Sequence, residues 1–169
     1  MRRRLFVAAV LLHATVLVGW AASLEWELAR APRIRLEVAQ RDPRDLLRGD
    51  FILLHYRISE VPLAMLAGPP GRPDPGDRIY VVLAPKGGAH DTVAAYRAAP
   101  TLAAGQRVIV GRLMFVRGDR AVLRYGIERY YVPEGKGTAP RGQLEAEVAL
   151  TDAGRPFLTR LFVDGRPYP

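Results

Sequence analysis

Leu5 to Ala22 is a run of 18 residues without a formal charge, and it follows directly on Arg2-Arg3-Arg4. As a helix the run spans ~27 Å at ~1.5 Å per residue, close to the ~30 Å of a bilayer's hydrocarbon core. No polar face interrupts it, which argues against a helix buried in a globular core. Trp20 near its far end suits an interfacial belt, and Glu25 and Glu27 mark the return to water. The basic triplet predicts an N-terminus in the cytoplasm and everything after the span outside it, with the lipid bilayer as the partner of residues 5–22. A cleavable signal peptide, with the remainder secreted, is the competing reading. Gly19, Ala21, Ala22 and Ser23 offer small residues for a cleavage site, but the apolar run exceeds the usual ~7–15 residues. The lone His13 within the span is expected to be neutral and packed, or near an interface.

Beyond the anchor the pattern changes. Residues 24–31 read as a helical extension that Pro32 stops, so residues 1–33 form the Arg triplet, anchor and extension. Residues 34–169 then read as one extracytoplasmic β domain. Ile34, Leu36 and Val38 alternate with Arg35, Glu37 and Ala39, the period of a half-buried strand. Residues 51–58 form a second strand with Ile52, Leu54, Tyr56 and Ile58 on its core face. The proline- and glycine-rich stretch 61–78 reads as loop. Three hairpins follow, over 79–98 around Lys86-Gly87-Gly88, over 107–125 around Arg117-Gly118-Asp119, and over 144–163 around Asp152-Ala153-Gly154. A short strand at 129–132 ends at Pro133. The main alternative is a helix over 138–149. Short strands with turn signals between them predict a mainly β fold: one transmembrane helix followed by an antiparallel β-sandwich or partly open β-barrel.

Composition narrows the chemistry. Cysteine is absent, so no disulfide, thiolate metal site or thiol nucleophile is available. Ser23 and Ser59 are the only serines, which leaves few routes to covalent catalysis. His55 and His90 have no partner at metal-ligand spacing, and neither a metal nor a cofactor is expected. The formal charge is +8, but the basic residues are scattered among acids. No basic stripe or paired aromatic platform points to nucleic acid. Gly-Asp begins a strand at Gly49-Asp50, Gly76-Asp77 and Gly118-Asp119, a turn device that suits the backbone freedom of Gly and the local bonding of Asp.

The octet Gly49-Asp50-Phe51-Ile52-Leu53-Leu54-His55-Tyr56 spells Gly-Asp-Tyr-x-x-Leu-x-Tyr with Phe51 in the first tyrosine position. With its approach from Asp42-Pro43-Arg44-Asp45 through Arg48, and with the segment Tyr125 to Gly135, it resembles the GDYXXLXY family of bacterial membrane-anchored proteins. That name spells a motif and carries no activity. The resemblance implies structural roles for Gly49, Asp50, Leu54 and Tyr56, and a place in the inner (cytoplasmic) membrane. It also implies a partner among multi-spanning membrane proteins, beside which such proteins are often encoded.

The candidate partner- or ligand-binding residues are Asp42, Arg44, Asp45 and Arg48 beside the motif, with Glu128 and Glu134 in the second segment. The first four fit either a solvated turn held by weak ion pairs or a docking edge. The two glutamates could serve as acid and base, although nothing in the sequence brings them together, and capping of a turn suits Glu134 better. An anchor, a charged turn and Leu-x-x-Gly-Asp before an apolar strand are also similar to type I signal peptidases. Their Ser–Lys dyad has no counterpart: no Ser lies between 24 and 58, and the strand at 107–116 carries Arg107 and Arg112 but no Lys. Arginine stays protonated and cannot replace that base. The expected function is therefore a non-catalytic domain that binds another membrane or envelope protein, with a signal-peptidase-like or other envelope hydrolase as the alternative.

Overall fold

The computed structural model describes residues 2–39, 51–132 and 142–168. Helix α1 runs unbroken from Arg2 to Arg30, and none of its residues is buried. The apolar run and its extension are thus one helix of 29 residues, ~43 Å long at ~1.5 Å per residue. Arg30 stacks its guanidinium 3.9 Å from the centre of the Trp26 ring at the helix end. Strand β1, Arg33–Glu37, begins three residues later.

The strands that follow are β2 (Phe51–Leu53), β3 (Glu60–Pro62), β4 (Leu66–Ala67), β5 (Arg78–Lys86), β6 (Ala89–Tyr96) and β7 (Arg107–Arg117). Then come β8 (Arg120–Arg124), β9 (Arg129–Tyr131), β10 (Leu144–Leu150), β11 (Pro156–Val163) and β12 (Arg166–Tyr168). Of the twelve strands among the described residues, nine lie in the order β12-β11-β10-β1-β6-β5-β7-β8-β3, β4 joins the same sheet beside β6, and β2 and β9 form a separate ribbon. The sheet does not close into a barrel. It is mixed rather than wholly antiparallel: β1 and β4 both run parallel to β6. β1 reaches that position by inserting between β6 and β10, so the strand that follows α1 is central to the domain. Its alternation holds, with Ile34, Leu36 and Val38 buried.

The three expected hairpins form, and 144–150 is strand rather than helix. The segment read as loop at 61–78 contains the end of β3, where Pro62 sits, and the short strand β4, and Pro69, Pro70, Pro73 and Pro75 fall between β4 and β5. β12 was not anticipated, because Pro167 argues against a strand. It pairs with β11 through a turn in which Asp164 and Gly165 both take positive φ. Proline is tolerated there because β12 is an edge strand.

The strand expected over 51–58 is shorter than its pattern. Only Phe51–Leu53 pair as a strand, against Leu53–Arg129, Ile52–Tyr130 and Phe51–Tyr131. The backbone then changes partner: Leu54 N–H donates to the Glu128 carbonyl at 2.7 Å, and Ala39 N–H donates to the His55 carbonyl at 2.6 Å. Tyr56 bridges to Val38, and a single 3-10 turn covers Arg57–Ser59. The register nevertheless holds, since Ile52, Leu54, Tyr56 and Ile58 are all buried.

Candidate functional site

Two buried tyrosines fix the motif segment to the segment after β8. The Tyr56 hydroxyl donates to the carbonyl of Ile127 at 2.7 Å, and the Tyr125 hydroxyl donates to the carbonyl of Ile58 at 2.6 Å. Each tyrosine therefore bonds the residue two positions beyond the other, a reciprocal lock between 56–58 and 125–127. Burial first, and the nearby Glu128 carboxylate second, push both phenols far above the usual tyrosine range. Gly111 on β7 makes room for this lock, since a Cβ there would lie 2.9 Å from Cε1 of Tyr125.

Glu128 closes the turn between the lock and β9. Its carboxylate accepts from the backbone N–H of Tyr125 at 2.5 Å and of Gly126 at 3.0 Å, where Gly126 has φ of 86°. This candidate acid thus acts as a turn cap. Leu54 and Tyr56, expected to be structural, lie in the core. Asp42, Arg44, Asp45, Arg48, Gly49, Asp50 and Glu134 lie outside the described residues.

Between the β2–β9 ribbon and the β7–β8 hairpin runs a cleft of about 840 Å³. One wall carries Leu53, His55, Arg57, Arg129 and Tyr131, and the other carries Glu60, Phe115, Arg117, Arg120, Val122 and Arg124. Large apolar groups reach solvent here: Tyr131 is 69% exposed, Phe115 43% and Met114 37%. Tyr131 packs against Phe51 with ring centres 6.1 Å apart, and Arg129 sits 5.3 Å from the centre of the Phe51 ring. Met114 stands at an irregularity in the β7–β8 pairing, where the register shifts between Leu113 and Phe115. Arg57 is committed to Glu37 at 2.5 Å. The Ser59 N–H completes the 3-10 turn by donating to the Tyr56 carbonyl at 3.0 Å.

Cross-strand register collects arginines that the sequence scatters. Arg78 on β5 faces Arg112 on β7, Arg112 faces Arg124 on β8, and Arg117 faces Arg120 across the hairpin end. Among the described residues none of these five lies within 4.0 Å of a carboxylate. Sequence reasoning missed this surface because its members are 3 to 46 positions apart along three strands, and only the pairing register aligns them. Among the described residues no group of three or more His, Cys, Asp or Glu is placed to hold a metal.

A long apolar N-terminal helix, a mixed β-sheet and an arginine-lined cleft beside a tyrosine-locked motif define a helix-led β protein built around that motif. The chain belongs to the GDYXXLXY family, whose family model matches residues 13–161. No curated protein and no solved structure matches it.

Proposed function

We propose that this protein is a membrane-anchored envelope protein whose β domain binds another membrane or envelope protein through the cleft, without catalysing a reaction. Helix α1 is long and apolar enough to cross a membrane, and Arg2–Arg4 favour a cytoplasmic N-terminus. The observation that carries the binding role is the exposure of Met114, Phe115 and Tyr131 beside arginines in one concave surface. Aromatic, Met and Arg side chains are enriched at the centres of protein interfaces, and buried aromatic and Arg anchors carry much of the binding energy. The cleft's Glu128 supports binding over acid–base chemistry, because both its oxygens already accept backbone N–H groups. A multi-spanning membrane protein is the expected class of partner.

The test is site-specific photo-crosslinking in intact cells. A photoreactive residue at Phe115 should give one discrete adduct with a membrane protein. The same group at Val93, which is also exposed, should give none. Phe115→Asp should abolish copurification of that protein with the detergent-extracted chain. Equal adducts from both positions, or capture unaffected by Phe115→Asp, would remove the cleft from the reading.

A further inference from the structure

The outer face of the β7–β8 hairpin sets like charges directly opposite one another. Arg112 faces Arg124, and four residues along β8 Arg120 faces Arg117. Directly opposed side chains on one sheet face have Cβ atoms ~4.5–5.5 Å apart, and like charges at that separation destabilise the sheet. Arg78 extends the first row onto β5. Between the two rows sits an apolar step, Phe115 opposite Val122. Arg117 lies 5.4 Å from the centre of the Phe115 ring, but no carboxylate among the described residues pairs with any of these arginines to offset the repulsion. An approaching anion would relieve it.

We propose that this face is the seat of an acidic, extended polypeptide segment of the partner, with carboxylates at positions i and i+4 and an apolar side chain at i+2. This rests on the reading of the domain as a partner-binding module. The spacing supports it: Arg120 and Arg124 are four residues apart on a strand, ~13 Å at ~3.3 Å per residue, and an extended partner repeats that distance. Its i, i+2 and i+4 side chains point to one side, so two carboxylates meet the arginine rows while the apolar group meets Phe115 and Val122. Charge-assisted pairing of guanidinium with carboxylate supplies strength and orientation. A lipid headgroup fits less well. β7 runs in the same direction as β1, so its Met114–Arg117 end lies away from the anchor. A continuous phosphate backbone fits less well too, because Glu60 stands beside Val122 on the edge strand β3 and interrupts the positive field.

The experiment uses the full chain in a nonionic detergent and a fluorescent heptapeptide in which two glutamates flank a central phenylalanine at i, i+4 and i+2. The glutamate peptide should bind, binding should weaken with salt, and the glutamine counterpart should bind at least about tenfold more weakly. Arg120→Gln with Arg124→Gln should weaken binding by a similar factor. The charge-matched control Arg155→Gln with Arg160→Gln should leave it unchanged. Equal binding of the two peptides, or equal loss in the control pair, would overturn the proposal. So would preferred binding to phosphatidylglycerol vesicles or to a single-stranded oligonucleotide. Tighter peptide binding by Asp42→Asn with Asp45→Asn would assign the face to the chain's own acids and overturn it as well. If the peptide fails while crosslinking from Phe115 persists, this inference falls and the partner-binding reading stands.

Discussion

Removing the Tyr56 hydroxyl tests the reciprocal lock most directly. Tyr56→Phe keeps the ring and its packing, so the change isolates one bond, the 2.7 Å contact to the Ile127 carbonyl. A buried hydrogen bond contributes about 1 kcal/mol net, and a buried acceptor left without its donor costs about 1–3 kcal/mol. Tyr56 is 2% exposed, so water does not replace the donor. We expect a loss of about 2 kcal/mol. Tyr125→Phe should cost about the same through the Ile58 carbonyl, and because the two bonds close one ring the double variant should depart from additivity by about 0.5–1 kcal/mol. Urea unfolding of the full chain in detergent should be followed by the far-ultraviolet β signal, since Trp20 and Trp26 both lie in α1 and do not report on the sheet. The pH dependence supplies a second readout. In the unfolded chain both phenols ionise near 10.0, while in the folded chain they stay protonated well beyond it. Above pH ~10 the folded state therefore holds more protons than the unfolded state, and stability falls by up to ~1.4 kcal/mol per pH unit for each tyrosine. Below that pH the two phenols contribute no slope. Each Phe variant should remove half of the alkaline decline. Single variants within about 0.5 kcal/mol of wild type, with the alkaline slope intact, would refute the lock.

Gly111→Ala should destabilise the domain by about 1–3 kcal/mol through overpacking, because the Tyr125 ring it meets is tethered by its own hydroxyl; an unchanged urea midpoint would show that the ring can move aside. Arg124→Thr should raise stability by about 0.2–1 kcal/mol by relieving the facing Arg112; a lowered midpoint would show that the arginines are stabilised where they stand. A periplasm-active reporter fused after Pro169 should be active, with Arg2–Arg4 protected from an impermeant amine- or guanidine-directed reagent; an inactive reporter in a stably expressed fusion would invert the proposed topology. Arg44→Ala with Arg48→Ala should leave stability within about 1 kcal/mol and reduce partner capture, as interface arginines do; capture at wild-type yield would return the segment before the motif to a solvated turn.

Local patterns were the legible part of this fold. The period of two in 34–38, the uncharged run of α1 and the glycine turns of three hairpins each depend on neighbours in sequence, and each matches the structure. Pairing between distant segments was not legible. Nothing in residues 33–37 announces a parallel contact with β6, because a parallel neighbour needs no adjoining turn to mark it. The motif segment shows the same limit. Its core face was set by alternation, but its early exit from the ladder depends on Glu128 and Ala39, which lie 74 positions after and 15 before Leu54. The arginine face fails for a third reason. Formal charge along a chain averages away when acids intervene, whereas a sheet selects alternate residues from three strands and discards the rest to the other side.

The family's spelling takes on a physical sense in this light. Of its letters that fall among the described residues, Leu54 is fully buried and Tyr56 nearly so. The second tyrosine of the motif finds its partner not in the octet but at Ile127, inside the other segment that resembles the family. The two stretches are therefore one unit: a pair of tyrosines exchanging hydroxyl bonds, with Glu128 holding the turn that presents the second carbonyl. Such a lock performs no chemistry of its own. It fixes where β2 and β9 stand relative to β7 and β8, and so sets the width of the cleft between them. Exposed Tyr131 and Arg129 lie one to three residues beyond Glu128 on one wall, and Phe115, Arg117, Arg120 and Arg124 lie on the other. The motif's expected structural role thus becomes specific, as the frame that holds the two walls of the cleft apart, and under the proposed function the partner-binding residues are expected beside its letters and not among them.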